Sequence, residues 1–206
     1  MIKNQKTRND GIKMKDIDPR IKEVLITEEQ IDQKITEAAN WINKEYEGKE
    51  PIIIGILKGC IPFIGKLLPK IKIDMKLDFL AISSFKGATS AQTEPEIITD
   101  LKFEVKDRDL ILVEDIVDTG RTIKKVYDLL KIRGARSIKL VTLVDKKDGR
   151  LVDLQADFVC CDIPLVFIVG FGLDYKEIMR NLPYIGVLKE EVYQNDLNNK
   201  NEGDGE

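Results

Sequence analysis

Histidine is absent from this chain of 206 residues. With it go Ser-His-Asp and Cys-His catalysis and histidine-ligated zinc, so acid–base work falls to carboxylates and lysines. Cysteine is scarce: Cys60, Cys160 and Cys161 form no CxxC pair, and on a strand the adjacent two point to opposite faces. They read as small core residues. No apolar run approaches the ~18–20 residues needed to span a bilayer, and Met1 to Arg20 lacks the apolar stretch of a secretory signal. A cytosolic protein with no membrane partner is expected. Excess charge is lacking too: 33 basic against 36 acidic residues leave −3. That balance argues against nucleic acid as the main partner, while Lys and Arg can still line a local phosphate site.

What remains suffices for one soluble domain with a full core. Residues 1–18 and 195–206 are polar, lack apolar periodicity and read as a leader and a tail, leaving a single domain over 19–194. Thr27-Glu28-Glu29-Gln30 has capping-box spacing, and Ile31, Ile35, Ala38 and Ile42 follow on one face, which predicts a helix to about Tyr46. Ile52 to Leu57 is a continuous apolar run expected of a strand buried on both faces. A helix over Ile61 to Leu68 and a strand over Lys76 to Ile82 come next. Leu110 to Val117 and Thr122 to Arg133, closed by Gly134, form a strand–loop–helix unit. Ile138 to Val144, Phe158 to Cys161 and Leu165 to Val169 complete the strands. Strands alternating with helices imply an α/β fold, a mainly parallel sheet flanked by helices. Residues 84–99 break the rhythm with Gly87, Pro95 and several Ser and Thr, as a lid does.

The chemistry concentrates in Val113-Glu114-Asp115-Ile116-Val117-Asp118-Thr119-Gly120-Arg121-Thr122. An apolar strand delivers two adjacent carboxylates, then a third beside a short Thr/Gly/Thr turn, then a helix. Open α/β sheets bind ligands beyond the carboxyl ends of their strands, and a helix N-terminus favours an anion. Acids beside a phosphate cradle suit a sugar phosphate with Mg²⁺. The loop is no Walker A motif, since G-x-x-x-x-G-K-[ST] is missing. Glu114 and Asp115 are consecutive, so their side chains diverge and cannot share one role. Gly170-Phe171-Gly172 lacks the third glycine of a dinucleotide fingerprint.

Val113 to Thr122 resembles the signature of type I phosphoribosyltransferases in the version carried by the hypoxanthine-guanine enzymes. Leu57-Lys58-Gly59, Asp145-Lys146 and Phe167-Ile168-Val169-Gly170-Phe171-Gly172-Leu173-Asp174-Tyr175 match further segments in the same order, so the resemblance covers roughly Ile21 to Tyr193. It implies the type I fold with a small hood built from the chain ends and the Phe167 to Tyr193 region. It also implies Mg²⁺-dependent transfer of a 5-phosphoribosyl group from 5-phosphoribosyl 1-pyrophosphate to hypoxanthine or guanine.

The same resemblance assigns roles. Asp118, Thr119, Gly120, Arg121 and Thr122 would wrap the 5′-phosphate, with Glu114 and Asp115 facing the ribose hydroxyls and the metal shell. Asp118 would exchange a proton with N7 of the purine, and its bland alternative is a cap of the loop. Leu57, Lys58 and Gly59 would line the pyrophosphate site, with a cis peptide in the turn, and Arg180 would add a cation two turns beyond Asp174 if helix continues. Lys146 would donate to the 6-oxo group, in a neighbourhood that Lys147 and Arg150 make basic enough to be a solvated turn instead. Phe167 would stack on the base, Ile168 and Leu173 would meet it through backbone groups, and Asp174 would ligate Mg²⁺. Ser84-Phe85 stands where the family has Ser-Tyr in its mobile loop, and Gln92-Thr93-Glu94-Pro95-Glu96 departs from the family's closing run, where Pro95 should stiffen it. A homodimer or homotetramer follows by the same resemblance. Two alternatives stay open: a xanthine-preferring enzyme, and a regulatory nucleotide- or RNA-binding protein on the same fold.

Overall fold

The computed structural model describes residues 17–83 and 96–194. The leader to residue 16, Ser84, Phe85 and the lid to Pro95, and the tail from Asn195 lie outside the described residues. In chain order the elements are β1 (Ile21–Ile26), α1 (Glu28–Glu45), β2 (Ile52–Leu57), α2 (Ile61–Leu67), β3 (Lys76–Ser83), β4 (Glu96–Thr99), β5 (Asp109–Val117), α3 (Arg121–Ile132), β6 (Ser137–Asp145), β7 (Phe158–Asp162), β8 (Ile168–Val169) and β9 (Ile185–Leu188). The described residues divide into two compact units, one within 32–166 and the other made of 17–31 with 167–194.

In the larger unit six strands among the described residues form one sheet in the order β4-β3-β2-β5-β6-β7. Every neighbouring pair is parallel except β3 with β4. The two central strands are the two most continuously apolar: Ile52, Ile53 and Ile54 of β2 pair with Leu110, Ile111 and Leu112 of β5, and all six are buried. A strand covered on both faces must read this way. Helix α3 turns Ile123, Val126 and Leu130 onto the sheet, beside Leu112 and Leu140. The capping box of α1 forms as its spacing predicts. The Thr27 amide donates to Gln30 Oε1 at 2.9 Å and the Gln30 amide to Thr27 Oγ1 at 3.3 Å. Its stripe of Ile31, Ile35, Ala38 and Ile42 is fully buried, and Trp41 meets Phe158 of β7 with ring centroids 5.7 Å apart.

This strand order fixes where a ligand can go. From β2 the chain passes through α2 to β3 on one side, and from β5 through α3 to β6 on the other. The carboxyl ends of β2 and β5 therefore border the point where the connections diverge, the crevice that open α/β sheets use for ligands.

The smaller unit holds the antiparallel sheet β1-β9-β8 over Ile21, Val24, Val169, Met179, Tyr184 and Leu188. Here the sequence-based expectations need correction. The strand expected over Leu165 to Val169 is only Ile168–Val169, and it pairs antiparallel with β9 within the region that the resemblance gave to the hood. No helix leads from Asp174 to Arg180. Small bridges, Gly170 with Leu173 and Tyr175 with Ile178, and left-handed backbone at Phe171, Lys176, Glu177 and Met179 make tight turns instead. Asp18, assigned to the leader, takes part in structure: its amide donates to the Tyr184 hydroxyl at 3.0 Å and its carboxylate pairs with Arg20 at 2.8 Å. The expected lid also ends earlier, because Glu96–Thr99 is strand β4 at the sheet edge. Cys160 is buried, Cys161 less so, and all three cysteines are free.

Candidate active site

The sheet delivers its acids to one place. Strand β5 runs as buried apolar residues to Val113, then presents Glu114 on one face and Asp115 on the other. Glu114 faces a cavity of about 550 Å³, whose lining includes Ile56, Leu57, Asp118, Thr119, Gly120 and Thr122. Asp115 turns away beneath the β2–α2 turn, so close that a Cβ at Gly59 would collide with its carboxylate. The Leu57–Lys58 peptide in that turn is cis. Beyond β5, Gly120 in left-handed backbone (φ 79°) is the N-cap of α3 and has no side chain to occupy the helix end. The Arg121 amide donates to Thr119 Oγ1 at 3.4 Å, and no side chain of the cap residue itself covers the N–H groups that follow, the kind of helix start that suits an anion. Asp118 is not the helix cap; its half-exposed carboxylate lies 3.9 Å from the Lys146 ammonium.

Two groups carry unusual electrostatics. The Glu114 Oε2 atom is buried with no hydrogen-bond partner among the described residues. Burial, and secondarily the Asp115 charge, push the Glu114 carboxyl well above the ordinary glutamate range. Lys146, at the end of β6, is 8% exposed. Burial draws its ammonium below the ordinary lysine range, and Asp118 opposes that shift. Cys60 sits near the same acids with its thiol pushed to about 12 by burial, so it is an inert core group.

In the smaller unit Phe167 is 38% exposed; Tyr193 stacks on it at 5.0 Å and Tyr175 meets it edge-on at 5.8 Å. Ile168 and Leu173 are buried, so only their backbone groups could serve a ligand. Asp174 pairs with Arg180 at 2.8 Å and accepts the Glu177 amide at 2.9 Å. Arg180 also donates to the Gly172 carbonyl at 2.7 Å, while its Nε is buried without a partner among the described residues. Arg180, expected about two turns beyond Asp174 on a helix, instead meets it across tight turns.

Of the sequence-predicted residues, the cavity gathers Leu57, Glu114, Asp118, Thr119, Gly120 and Thr122; Lys58, Gly59, Asp115, Arg121 and Lys146 are not in its lining. Its apolar walls, Ile56, Ile82 and Ile123, were read only as core. Tyr175 and Tyr193 were not read as partners of Phe167, since spacings of 8 and 26 residues give no local signal. Arg150, read as part of a solvated turn, has a side chain only 13% exposed. Among the described residues no three carboxylates or thiolates converge as a metal cluster. Mg²⁺ binds through one or two carboxylates and otherwise through substrate phosphates and water, so one orphaned carboxylate oxygen at the cavity fits it.

A family model described as phosphoribosyl transferase domain matches residues 25–176. The chain is similar to the hypoxanthine-guanine phosphoribosyltransferase of Streptococcus agalactiae serotype V (strain ATCC BAA-611 / 2603 V/R), 50% identical over 173 residues, 84% of this chain and 96% of that one. It is 48% identical over 179 residues to the enzyme of the same name from Lactococcus lactis subsp. lactis (strain IL1403), 87% of this chain and 97% of that one. Among solved structures, a hypoxanthine phosphoribosyltransferase from Staphylococcus aureus superposes with a TM-score of 0.80 at 43% identity, covering 84% of this chain and 95% of that one.

The orphaned carboxyl has a measurable signature in the ligand-free protein. A carboxyl whose folded pKa is raised contributes stability that is fully present below the unfolded pKa and is lost as pH rises through the folded pKa. Glu114→Gln keeps the shape and removes the titration, so its stability should exceed that of the parent by about 1–3 kcal/mol at pH 8. That advantage should shrink towards pH 5. Thermal melts of both proteins across this range check it; parallel curves would contradict it.

Proposed function

The chain belongs to the phosphoribosyl transferase domain family, and from that premise we propose that it transfers the 5-phosphoribosyl group of 5-phosphoribosyl 1-pyrophosphate to hypoxanthine or guanine. The products are IMP or GMP and pyrophosphate, a purine-salvage reaction. The observation that carries the reading is the crevice at the carboxyl ends of β2 and β5. There an orphaned acid, a glycine-capped helix start and an acid–ammonium pair occupy one neighbourhood.

Each residue is assigned the role that the resemblance to the family implies. Asp118 to Thr122 hold the 5′-phosphate through backbone N–H groups and hydroxyls. Glu114 suits the ribose hydroxyls, because a carboxylate accepts the bonds that hydroxyls donate, whereas Asp115, turned away beneath the β2–α2 turn, is not placed to share that role. Leu57, Lys58, Gly59 and Arg180 serve the leaving pyrophosphate. Asp118 and Lys146, 3.9 Å apart, match adjacent positions on one edge of a 6-oxopurine: the carboxylate takes or returns the N7 proton and the ammonium donates to the oxygen. Adenine presents a donor there, and two donors facing each other leave both unsatisfied. Phe167 offers its open area for stacking, Ile168 and Leu173 offer backbone groups to the base, and Asp174 and Glu114 are each proposed by the resemblance as carboxylates for Mg²⁺.

In the reaction N9 bonds to the ribose C1 as the bond from C1 to pyrophosphate oxygen breaks, through a transition state of oxocarbenium character. Bound Mg²⁺ supplies positive charge to the phosphoryl oxygens. The protein orients the two substrates, limits water and manages the purine proton at Asp118. Assembly as a homodimer or homotetramer, with the Leu57-Lys58-Gly59 turn near a subunit contact, and a cytosolic site of action belong to the same proposal. Among the described residues no helix is long and apolar enough to cross a membrane.

Nucleotide formation assayed with hypoxanthine, guanine, xanthine and adenine in parallel, with and without Mg²⁺, tests the reading. Metal-dependent turnover of the first two is expected; turnover of xanthine alone, or of no base by folded protein, would overturn it. Asp118→Asn should lower kcat about 10²–10⁴-fold, as loss of a general base does, with a much smaller change in pyrophosphate affinity. An unchanged kcat would remove Asp118 as the base.

A further inference from the structure

Two carbonyls of the loop Asp118 to Gly120 accept hydrogen bonds from the turn that follows β6, whose residues Arg150 and Leu151 do not line the cavity. The Leu151 amide donates to the Thr119 carbonyl at 3.0 Å. Arg150 Nε donates to the Asp118 carbonyl at 3.1 Å. The rest of the Arg150 fork is anchored too: Nη1 donates to the Leu154 carbonyl, and Nη2 forms an ion pair with Asp145, the last residue of β6. Asp145 is 3% exposed at its side chain. The Arg150 stem lies against Gly120, where any Cβ would collide with Arg150 Cδ and Val152. Gly120 is therefore required twice, for its left-handed backbone and for this close approach.

We propose that Arg150 is a positioning residue for the phosphate loop: it fixes the peptide planes whose opposite edges bind the 5′-phosphate. In a trans peptide the carbonyl and the N–H point in opposite directions. Drawing the Asp118 carbonyl outward to Arg150 turns the Thr119 N–H the other way, towards the cavity that Thr119 and Gly120 line. The Leu151 bond does the same for the Gly120 N–H. The donors are thus aimed before the phosphate arrives, which removes an ordering cost from binding. Arginine is specific to the task. Its rigid planar fork reaches a loop carbonyl, a turn carbonyl and a buried carboxylate at once, whereas the compact ammonium of lysine meets one or two of them. The same turn begins at Lys146, whose amide donates to the Val117 carbonyl at 3.0 Å. Arg150 therefore also ties the phosphate loop to the segment proposed to read the base.

This inference rests on the proposed reaction, and its test separates the two. Arg150→Lys keeps a cation for Asp145, and the double variant Arg150→Gln with Asp145→Asn removes both buried charges together. Both should melt cooperatively, and their KM for 5-phosphoribosyl 1-pyrophosphate should rise about tenfold or more, the scale of one lost charge-assisted hydrogen bond. The KM for hypoxanthine should change much less. Lys147→Ala, on the same turn with its side chain 65% exposed, should change neither. A purely structural Arg150 would lower the melting temperature and leave the ratio of the two KM values unmoved, which would overturn the assignment. If the parent protein itself fails to bind 5-phosphoribosyl 1-pyrophosphate, the proposed reaction falls and this inference with it.

Discussion

A carboxylic acid held out of water at the end of a buried strand is the constraint around which the larger unit is arranged. Glu114 follows Leu110 to Val113, a run with no exposure at all, and its Oε2 finds no partner among the described residues. An orphan of this kind opposes folding, because a buried ionised group loses its hydration without regaining hydrogen bonds. The apolar sheet core offsets that cost: β2 and β5 bury Ile52 to Ile54 and Leu110 to Val113 against each other and against α3. The result is a packed apolar floor carrying one acid whose Oε2 is unsatisfied among the described residues.

The surrounding geometry follows from the alternation of a strand. Because Glu114 faces the cavity, Asp115 must face away, and it packs where only a glycine at position 59 leaves room. Two residues later the strand ends, and a glycine with left-handed backbone starts α3 with no side chain of its own to cap it. A carboxylate and a glycine-capped helix start then lie within a few residues of each other. The smaller unit builds its own polar pair differently. Arg180, Asp174 and the Gly172 carbonyl are locked across turns with positive φ, so the groups are set by backbone shape rather than by a helix face.

Much of this was legible in the sequence wherever the signal is local. The capping box of α1, the apolar runs of β2 and β5 and the glycine that closes α3 each follow from contacts within a few residues, and each lies within a residue or two of its expected place. Pairing between distant segments was not legible. Strand β1 meets β9, Ile21 opposite Leu188, and neither carries an alternation strong enough to announce the other. The partner of β8 was not legible, because a short apolar run does not reveal which strand it pairs with. In the site, residue types and order pointed to Glu114, Asp118, Gly120 and Lys146. Arg150 was missed because a basic residue in a polar turn reads as solvated until its acceptors, the Asp118 and Leu154 carbonyls and Asp145, are brought around it.

The central claim is that substrate completes the hydrogen bonding and charge of Glu114, and proton release on binding tests it most directly. Calorimetric titration of 5-phosphoribosyl 1-pyrophosphate with Mg²⁺ into the protein at pH 6, in two buffers of different ionisation enthalpy, reports the number of protons exchanged. A raised carboxyl that becomes ionised on binding predicts release by the parent in excess of that by Glu114→Gln. Equal proton exchange by the two proteins, with both binding, would contradict the account.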